Sequence, residues 1–340
     1  MSANVTVRED GKAEMMFVGK TPWHGLGTYV GDKEVTSKEA IVAAGMDFEA
    51  VKKPLTYLFN GEKKATDSYA VVRNDNGRHL GTVGSKYVPF QYSEAFDFFD
   101  SVVGGKHAIY HTAGTLSGGR IGWILAKMNG LLRIKGDDVV EKFLLLKTGH
   151  DGNSAVEILF TPIRVVCANT LSAAFDNVAK GDVFRMKHTR NIGQKVFDVQ
   201  NHLASVDAYF KKFNEAAQFL AGEQATKSDV ENFLIQLELA RANQREGMNP
   251  KRLVYESADC QKVISLFERG RGNDMNGIKG SFWSLYNSVT EFVDHERKTR
   301  CASKSGDSSN ACRLKSAWFG SGADLKQEAF ALALDMAGKK

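Results

Sequence analysis

The sequence predicts an α+β protein. Its N-terminal half is mixed, with antiparallel β-hairpins and short helices, and its C-terminal half is mainly helical. Three observations carry this. Strand-like apolar runs follow one another between 107 and 163, separated by glycine-rich turns. Capping signals place short helices among the earlier strands. From 195 onward the apolar positions step by three and four, the period of a helix face.

In chain order, Thr36 and Glu39 form a capping box that starts a helix over 37–44, ended by Gly45. The run 48–58 is strand-like but holds Pro54, which confines it to an edge or breaks it. Strands at 68–73 and 79–83 flank Asn74-Asp75-Asn76-Gly77, a hairpin signal. A helix over 93–103 opens on Ser93. Strands follow at 107–112, 120–127, 139–148 and 155–163, the last two joined by Gly149-His150-Asp151-Gly152-Asn153. A helix-prone run, 165–175, comes next.

Beyond it, Val196, Val199, Leu203, Val206, Phe210, Phe213, Ala217 and Leu220 make a heptad seam. The seam suits an oligomer interface or a helix contact inside a bundle, the latter being favoured. Further helices are expected at 228–246, 259–269, 281–295 and 325–337. The boundary between a 1–180 domain and a 181–340 helical region falls near Gly181. Within the latter, 297–315 is a Ser/Lys/Arg-rich basic loop.

The 340 residues are 43% hydrophobic and 25% charged, ordinary globular usage. A chain of this length buries a core without staples. Net charge is +5, a mild basic excess. Residues 1–10 are polar and no apolar run approaches the roughly 20 residues of a membrane span, so a cytoplasmic chain is expected. Cys167, Cys260, Cys301 and Cys312 form no CxxC pair. Cys301 and Cys312 are spaced to close a loop, but reduced thiols are the expectation in a cytoplasm.

Several segments resemble one family. They are Pro22-Trp23-His24-Gly25-Leu26-Gly27, the run Gly81-Thr82-Val83-Gly84-Ser85-Lys86-Tyr87 with Gln91, and His150-Asp151-Gly152. The pattern continues through Thr161-Pro162-Ile163-Arg164 to Leu171, then Lys187-His188-Thr189, Trp283, Tyr286-Asn287, Thr290-Glu291-Phe292 and Asp294-His295. In this order they resemble the phage/plasmid-like family catalogued as domain of unknown function 932. The resemblance implies an accessory product of phages, prophages or plasmids. It supplies no catalytic residues.

Phosphate-binding chemistry is the leading expectation. Arg164, Asn169, Arg185, Lys187, His188, Arg190 and Lys195 offer cations and an amide after the strand run, suited to phosphate oxygens. Lys86, Tyr87 and Tyr92 add a cation and aromatic rings of the kind that stack bases. Each has a structural alternative: a solvated basic face, Arg164 paired with an internal carboxylate, and rings in the core. Tyr110 and Trp123 also lie on strands, and for Trp123 the core is the expectation.

Metal chemistry is the weaker expectation. His107 and His111 lie four apart, and His150-Asp151, His188 and Asp294-His295-Glu296 offer donors, but no third ligand groups with any of them. No cofactor is expected. Gly19-Lys20-Thr21 lacks the spacing of a phosphate loop and is followed by Pro22, which excludes a P-loop ATPase. Cys167 sits in an apolar run where thiols are inert.

The expected function is binding of single-stranded nucleic acid, with strand annealing and self-association, in replication or recombination. Analogy with the sheet-and-helix core of ring-forming annealing proteins motivates the annealing step. The competing expectations are a non-enzymatic protein-binding counter-defence or host-takeover factor, and a metal-dependent hydrolase or nuclease.

Overall fold

The computed structural model describes residues 6, 13–19, 27–32, 35–104, 108–164, 169–170, 183–199, 205–237, 239, 249–298, 316–318 and 320–338. The chain starts with β1 (Met15–Phe17), β2 (Thr28–Tyr29) and α1 (Ser37–Ala43), then β3 (Ala50–Phe59), β4 (Glu62–Arg73), β5 (His79–Gly84) and α2 (Tyr92–Gly104). Long strands follow: β6 (Ala108–Leu116), β7 (Ile121–Lys135), β8 (Asp138–Gly149) and β9 (Val156–Arg164), with short β10 (Asn169–Thr170) and β11 (Val183–Met186). The helices are α3 (Ile192–Val199), α4 (Ser205–Gly222), α5 (Lys227–Gln236), α6 (Pro250–Glu256), α7 (Ala258–Arg269) and α8 (Phe282–Glu291). A π-helical turn, Phe292–Glu296, extends α8, and α9 (Ser321–Met336) comes last.

The main sheet has eight strands in the order β10-β9-β8-β7-β6-β1-β2, with β11 also on β9. Its central hairpins are antiparallel as the turn signals require. Strand alternation sends successive residues to opposite faces. On β8, Leu144 and Leu146 join a cluster with Phe96 and Phe98 of α2, while Phe143 and Leu145 pack with Trp123 and Met15 on the other side. A separate sheet, β3-β4-β5, has β3 at an edge, and its register slips between Pro54 and Thr56, where proline cannot donate to the ladder.

The predicted capping box is formed: the Glu39 amide donates to the Thr36 hydroxyl (3.3 Å) and the Thr36 amide to the Glu39 carboxylate (3.0 Å). Ser93 is not the cap of α2. The helix begins one residue earlier, and the Gln91 amide donates to the Glu94 carboxylate at 2.6 Å. The helix expected over 165–175 is corrected at Asn169–Thr170, which form a strand opposite Ile163 and Arg164. The rest of that run lies outside the described residues, as do His107, Cys167, Cys301, Cys312, 240–248 and most of 297–315.

Of the heptad seam, Val196, Phe210, Phe213, Ala217 and Leu220 are buried, while Leu203 and the side chains of Val199 and Val206 lie outside the described residues. Phe210 packs under the sheet, while Phe213, Ala217 and Leu220 enter the helical cluster. There Phe213 stacks on Phe330 of α9 (5.7 Å) and meets Trp283 of α8 edge-on. Helix α8 is buried along its whole length. Its serine and threonine hydroxyls tolerate this because each finds a nearby backbone acceptor: Ser284 to Ser281 (2.7 Å), Ser288 to Leu285 (2.6 Å) and Thr290 to Asn287 (2.9 Å). Ile192, Val196, Tyr209 and Phe210 belong to the sheet cluster, and Ile134 and Val140 to the helical one. Among the described residues no helix is long and apolar enough to cross a membrane.

Candidate functional site

Three of the segments that carry the family resemblance meet in space. They are the β5–α2 loop with Lys86 and Tyr87, the β8–β9 turn with His150 and Asp151, and the β11–α3 turn with Lys187 and His188. Close backbone approach makes the junction possible. A Cβ on Gly81 would stand 2.5 Å from the Asp151 backbone. Gly152, at φ +81°, lies against the Thr82 carbonyl, 2.8 Å from where its Cβ would be. Asp151 is spent on the turn itself, accepting from the amides of Asn153 (3.0 Å) and Ser154 (2.7 Å).

The rings of this junction interlock. Tyr87 stacks on His188 (4.8 Å between centroids, 22° between planes), and its hydroxyl donates to the Gly149 carbonyl at 3.0 Å. The Val88 amide donates to the His188 carbonyl (3.3 Å), and His188 Nδ1 lies 3.3 Å from the Val88 carbonyl. Tyr92 packs on His150 (4.8 Å) and donates its hydroxyl to the Gly119 carbonyl (2.9 Å).

Burial sets the charge of both histidines. It pushes His150 down to about 3 and lowers His188, so both are neutral at pH 7. The Nδ1–H of neutral His188 then serves Val88. Its Nε2, and both ring nitrogens of His150, have no hydrogen-bond partner among the described residues.

These positions correct two expectations. Tyr92 is fully buried and offers no face to a base. His188 is buried and neutral, so it is not a phosphate cation, and it occupies one face of Tyr87. The junction's exposed groups are different. Lys86, Lys187, Arg190 and Lys195 are exposed, and among the described residues none of them is in an ion pair. Arg185 is exposed and pairs with Glu157 at 3.2 Å, a carboxylate that Lys147 also holds at 3.0 Å. The Val88–His188 bonds set the segments of Lys86 and Lys187 side by side.

Arg164 stands elsewhere. Seven residues of β9 separate it from Glu157, about 23 Å at strand rise. It is fully buried and forms an ion pair with equally buried Asp138, Nε to Oδ1 at 2.8 Å and Nη2 to Oδ2 at 2.8 Å. Nη1 donates to Asn273 (3.0 Å) and Nη2 also to the Gly272 carbonyl (2.8 Å). The Trp283 indole donates to Asp138 at 2.7 Å. Every nitrogen of Arg164 is therefore engaged inside the protein, and it holds no outside phosphate. It joins the sheet to the 270–273 loop and α8. Asn169 pairs with it through the backbone.

The register of the β8–β9 hairpin could have identified its partner. A turn centred near Gly152 sets Val140 opposite Arg164, and Asp138 lies two residues on, on the same face. The sequence reading also missed the β3–β4 turn. Asn60 (φ +50°) and Gly61 (φ +83°) both take the left-handed conformation that an Asn-Gly hairpin turn supplies.

Among the described residues no three His, Cys, Asp or Glu side chains group as a metal site would need. Asp294 pairs with buried Lys326 (2.9 Å) and Glu296 with Lys262 (3.1 Å). His111 packs on Phe143, and burial lowers it to about 4. Cys260 is buried, and burial raises its thiol. Trp123 is a core residue, as expected, and so is Tyr110.

No curated protein and no solved structure matches the chain. A family model does match, over residues 79–318, a span that includes the Lys86–Tyr87, His150–Asp151, Arg164 and Lys187–His188 segments but not Pro22–Gly27, and the chain belongs to that family, described as Domain of unknown function (DUF932).

Proposed function

We propose that this protein binds single-stranded nucleic acid along the edge formed by the β5–α2 loop, β11 and the start of α3. The single observation that supports this most is the set of exposed cations Lys86, Lys187, Arg190 and Lys195. They carry no carboxylate partner among the described residues, on segments that the Val88–His188 bonds hold together. Arg185 extends the edge along β9. Buried Tyr92, His150 and His188 shape it from below, and Tyr87 braces the loop. Cations on a rigid edge bind a strand mainly through its phosphates, so the binding carries little sequence preference. The biological setting proposed is an accessory role in phage or plasmid replication or recombination.

The test is fluorescence anisotropy with labelled single-stranded and duplex DNA across a salt series. Tighter binding of the single strand is expected, with log affinity falling linearly in log salt. Absence of binding at low salt overturns the proposal.

A further inference from the structure

The ribbon of β3 and β4 reaches beyond the body of the molecule. Every residue over 56–67 is exposed, on both strands and both faces. A strand in a packed sheet hides at least one face, because alternate side chains point to opposite sides. This one hides neither, over about 20 Å from Pro54 to the Asn60-Gly61 turn. Its end nevertheless carries Tyr57, Leu58 and Phe59, exposed at 54%, 70% and 58%. Folding gains nothing from these groups where they stand.

Cross-strand register sorts the faces. Tyr57 lies opposite Lys64, Leu58 opposite Lys63, and Phe59 opposite Glu62. Tyr57 and Phe59 therefore share one face with Lys64, which holds only the exposed Glu62 at 2.6 Å, while Lys63 lies on the other. Lys53 sits nearer the base. The base itself is anchored to the cationic edge: Lys52 donates to the Ser85 (2.7 Å) and Tyr87 (3.0 Å) carbonyls and lies 4.5 Å over the Tyr69 ring. Lys86 is the residue between those two carbonyls.

We propose that this ribbon is a second contact for single-stranded nucleic acid, with bases stacking on Tyr57 and Phe59 and phosphates lying against Lys53 and Lys64. This rests on the nucleic-acid reading above and adds base stacking to its phosphate contacts. Aromatic faces flanked by cations are the surface that an unpaired strand needs, since every base has a face to stack and every linkage a charge. Charge also argues against a second copy as the occupant. Over 52–67 four lysines stand against Glu62 and Asp67, so two paired arms would set like charge against like.

The experiment uses the full chain and three proteins: the wild type, Y57S/F59S, and the aromatic exchange Y57F/F59Y. Each is titrated by anisotropy against labelled oligo(dT) and an abasic strand of equal length. The expected result is at least a tenfold weaker Kd for Y57S/F59S on oligo(dT), with an unchanged salt slope. No change is expected on the abasic strand, and the aromatic exchange should retain wild-type affinity. The thermal midpoint should not move, because the substituted residues are exposed. Equal affinity of Y57S/F59S and wild type for oligo(dT) overturns the arm and leaves the cationic edge standing. Failure of the wild type to bind either strand overturns both. A change in oligomeric state on size exclusion in Y57S/F59S, with affinity intact, overturns the arm in favour of a contact between copies.

Discussion

Two arginine- and lysine-bearing regions of this chain look alike in sequence and differ in everything else. Arg164 lies where β9 meets the helices, with neither it nor Asp138 exposed to water. Lys187 and Arg190 lie where β11 meets α3, exposed. In the first region the surroundings supply an acceptor for every donor, and the charge serves to join sheet and helices. In the second, carboxylate partners are lacking among the described residues, and the charge faces solvent. Burial, not residue type, decides whether a cation is spent on the fold or stays exposed to solvent.

The largest expected effect tests the first region. Arg164→Ala leaves Asp138 as an unpaired buried charge and should cost about 3–5 kcal/mol in denaturant unfolding. Arg164→Met with Asp138→Leu removes both charges, so it should recover much of that loss. If Arg164→Ala were as stable as wild type, the contrast between the regions would collapse.

Acid sharpens the comparison next. Burial holds His150 near 3 and His111 near 4, against about 6.5 unfolded. The unfolded chain therefore binds more protons below pH 6.5. Stability is intact above that pH and falls as pH drops through the window down to about 4 for His111 and about 3 for His150. Each histidine contributes about 1.4 kcal/mol per pH unit inside its window. Denaturant midpoints at pH 7 and pH 5 check this, and His150→Phe should flatten the dependence. An unchanged slope in His150→Phe would show that His150 is not the group that resists protonation.

Smaller effects belong to the edge. Tyr87→Phe removes the bond to the Gly149 carbonyl and should cost about 1 kcal/mol while keeping the stack on His188. Lys187→Glu with Arg190→Glu should leave stability within about 0.5 kcal/mol. If both residues contact phosphates, the single-strand salt slope should fall by about 1.4, at roughly 0.7 per phosphate. An unchanged slope would remove these two residues from the proposed contact.

Much of the local structure was legible because its causes are local. The Thr36–Glu39 capping box, the Asn74–Gly77 turn and the 149–153 turn each depend on a few adjacent residues, and all formed where expected. The seam from Phe210 to Leu220 likewise gave its period, and Trp123 its burial. The candidate site was legible in part. Lys86, Arg185, Lys187, Arg190 and Lys195 are exposed, as both the binding face and the solvated basic face read from the sequence require. Tyr92 and His188 read as equivalent to them, because a sequence names side chains without saying which face of the chain another element will cover.

The sequence by itself determined the alternation of the strands, the Thr36 start of the first helix and the overall excess of positive charge, all of which follow from short-range sterics and composition. Only the tertiary structure decided that Arg164 meets Asp138, Asn273 and the Gly272 carbonyl, contacts that reach 26 to 109 residues along the chain. It also decided that Tyr87 meets Gly149 and Val88 meets His188, and that Tyr57, Leu58 and Phe59 stay more than half exposed. The physical reason is that charge state and availability depend on desolvation and on acceptors brought in from distant segments, and neither is present until the sheet and helices close on one another.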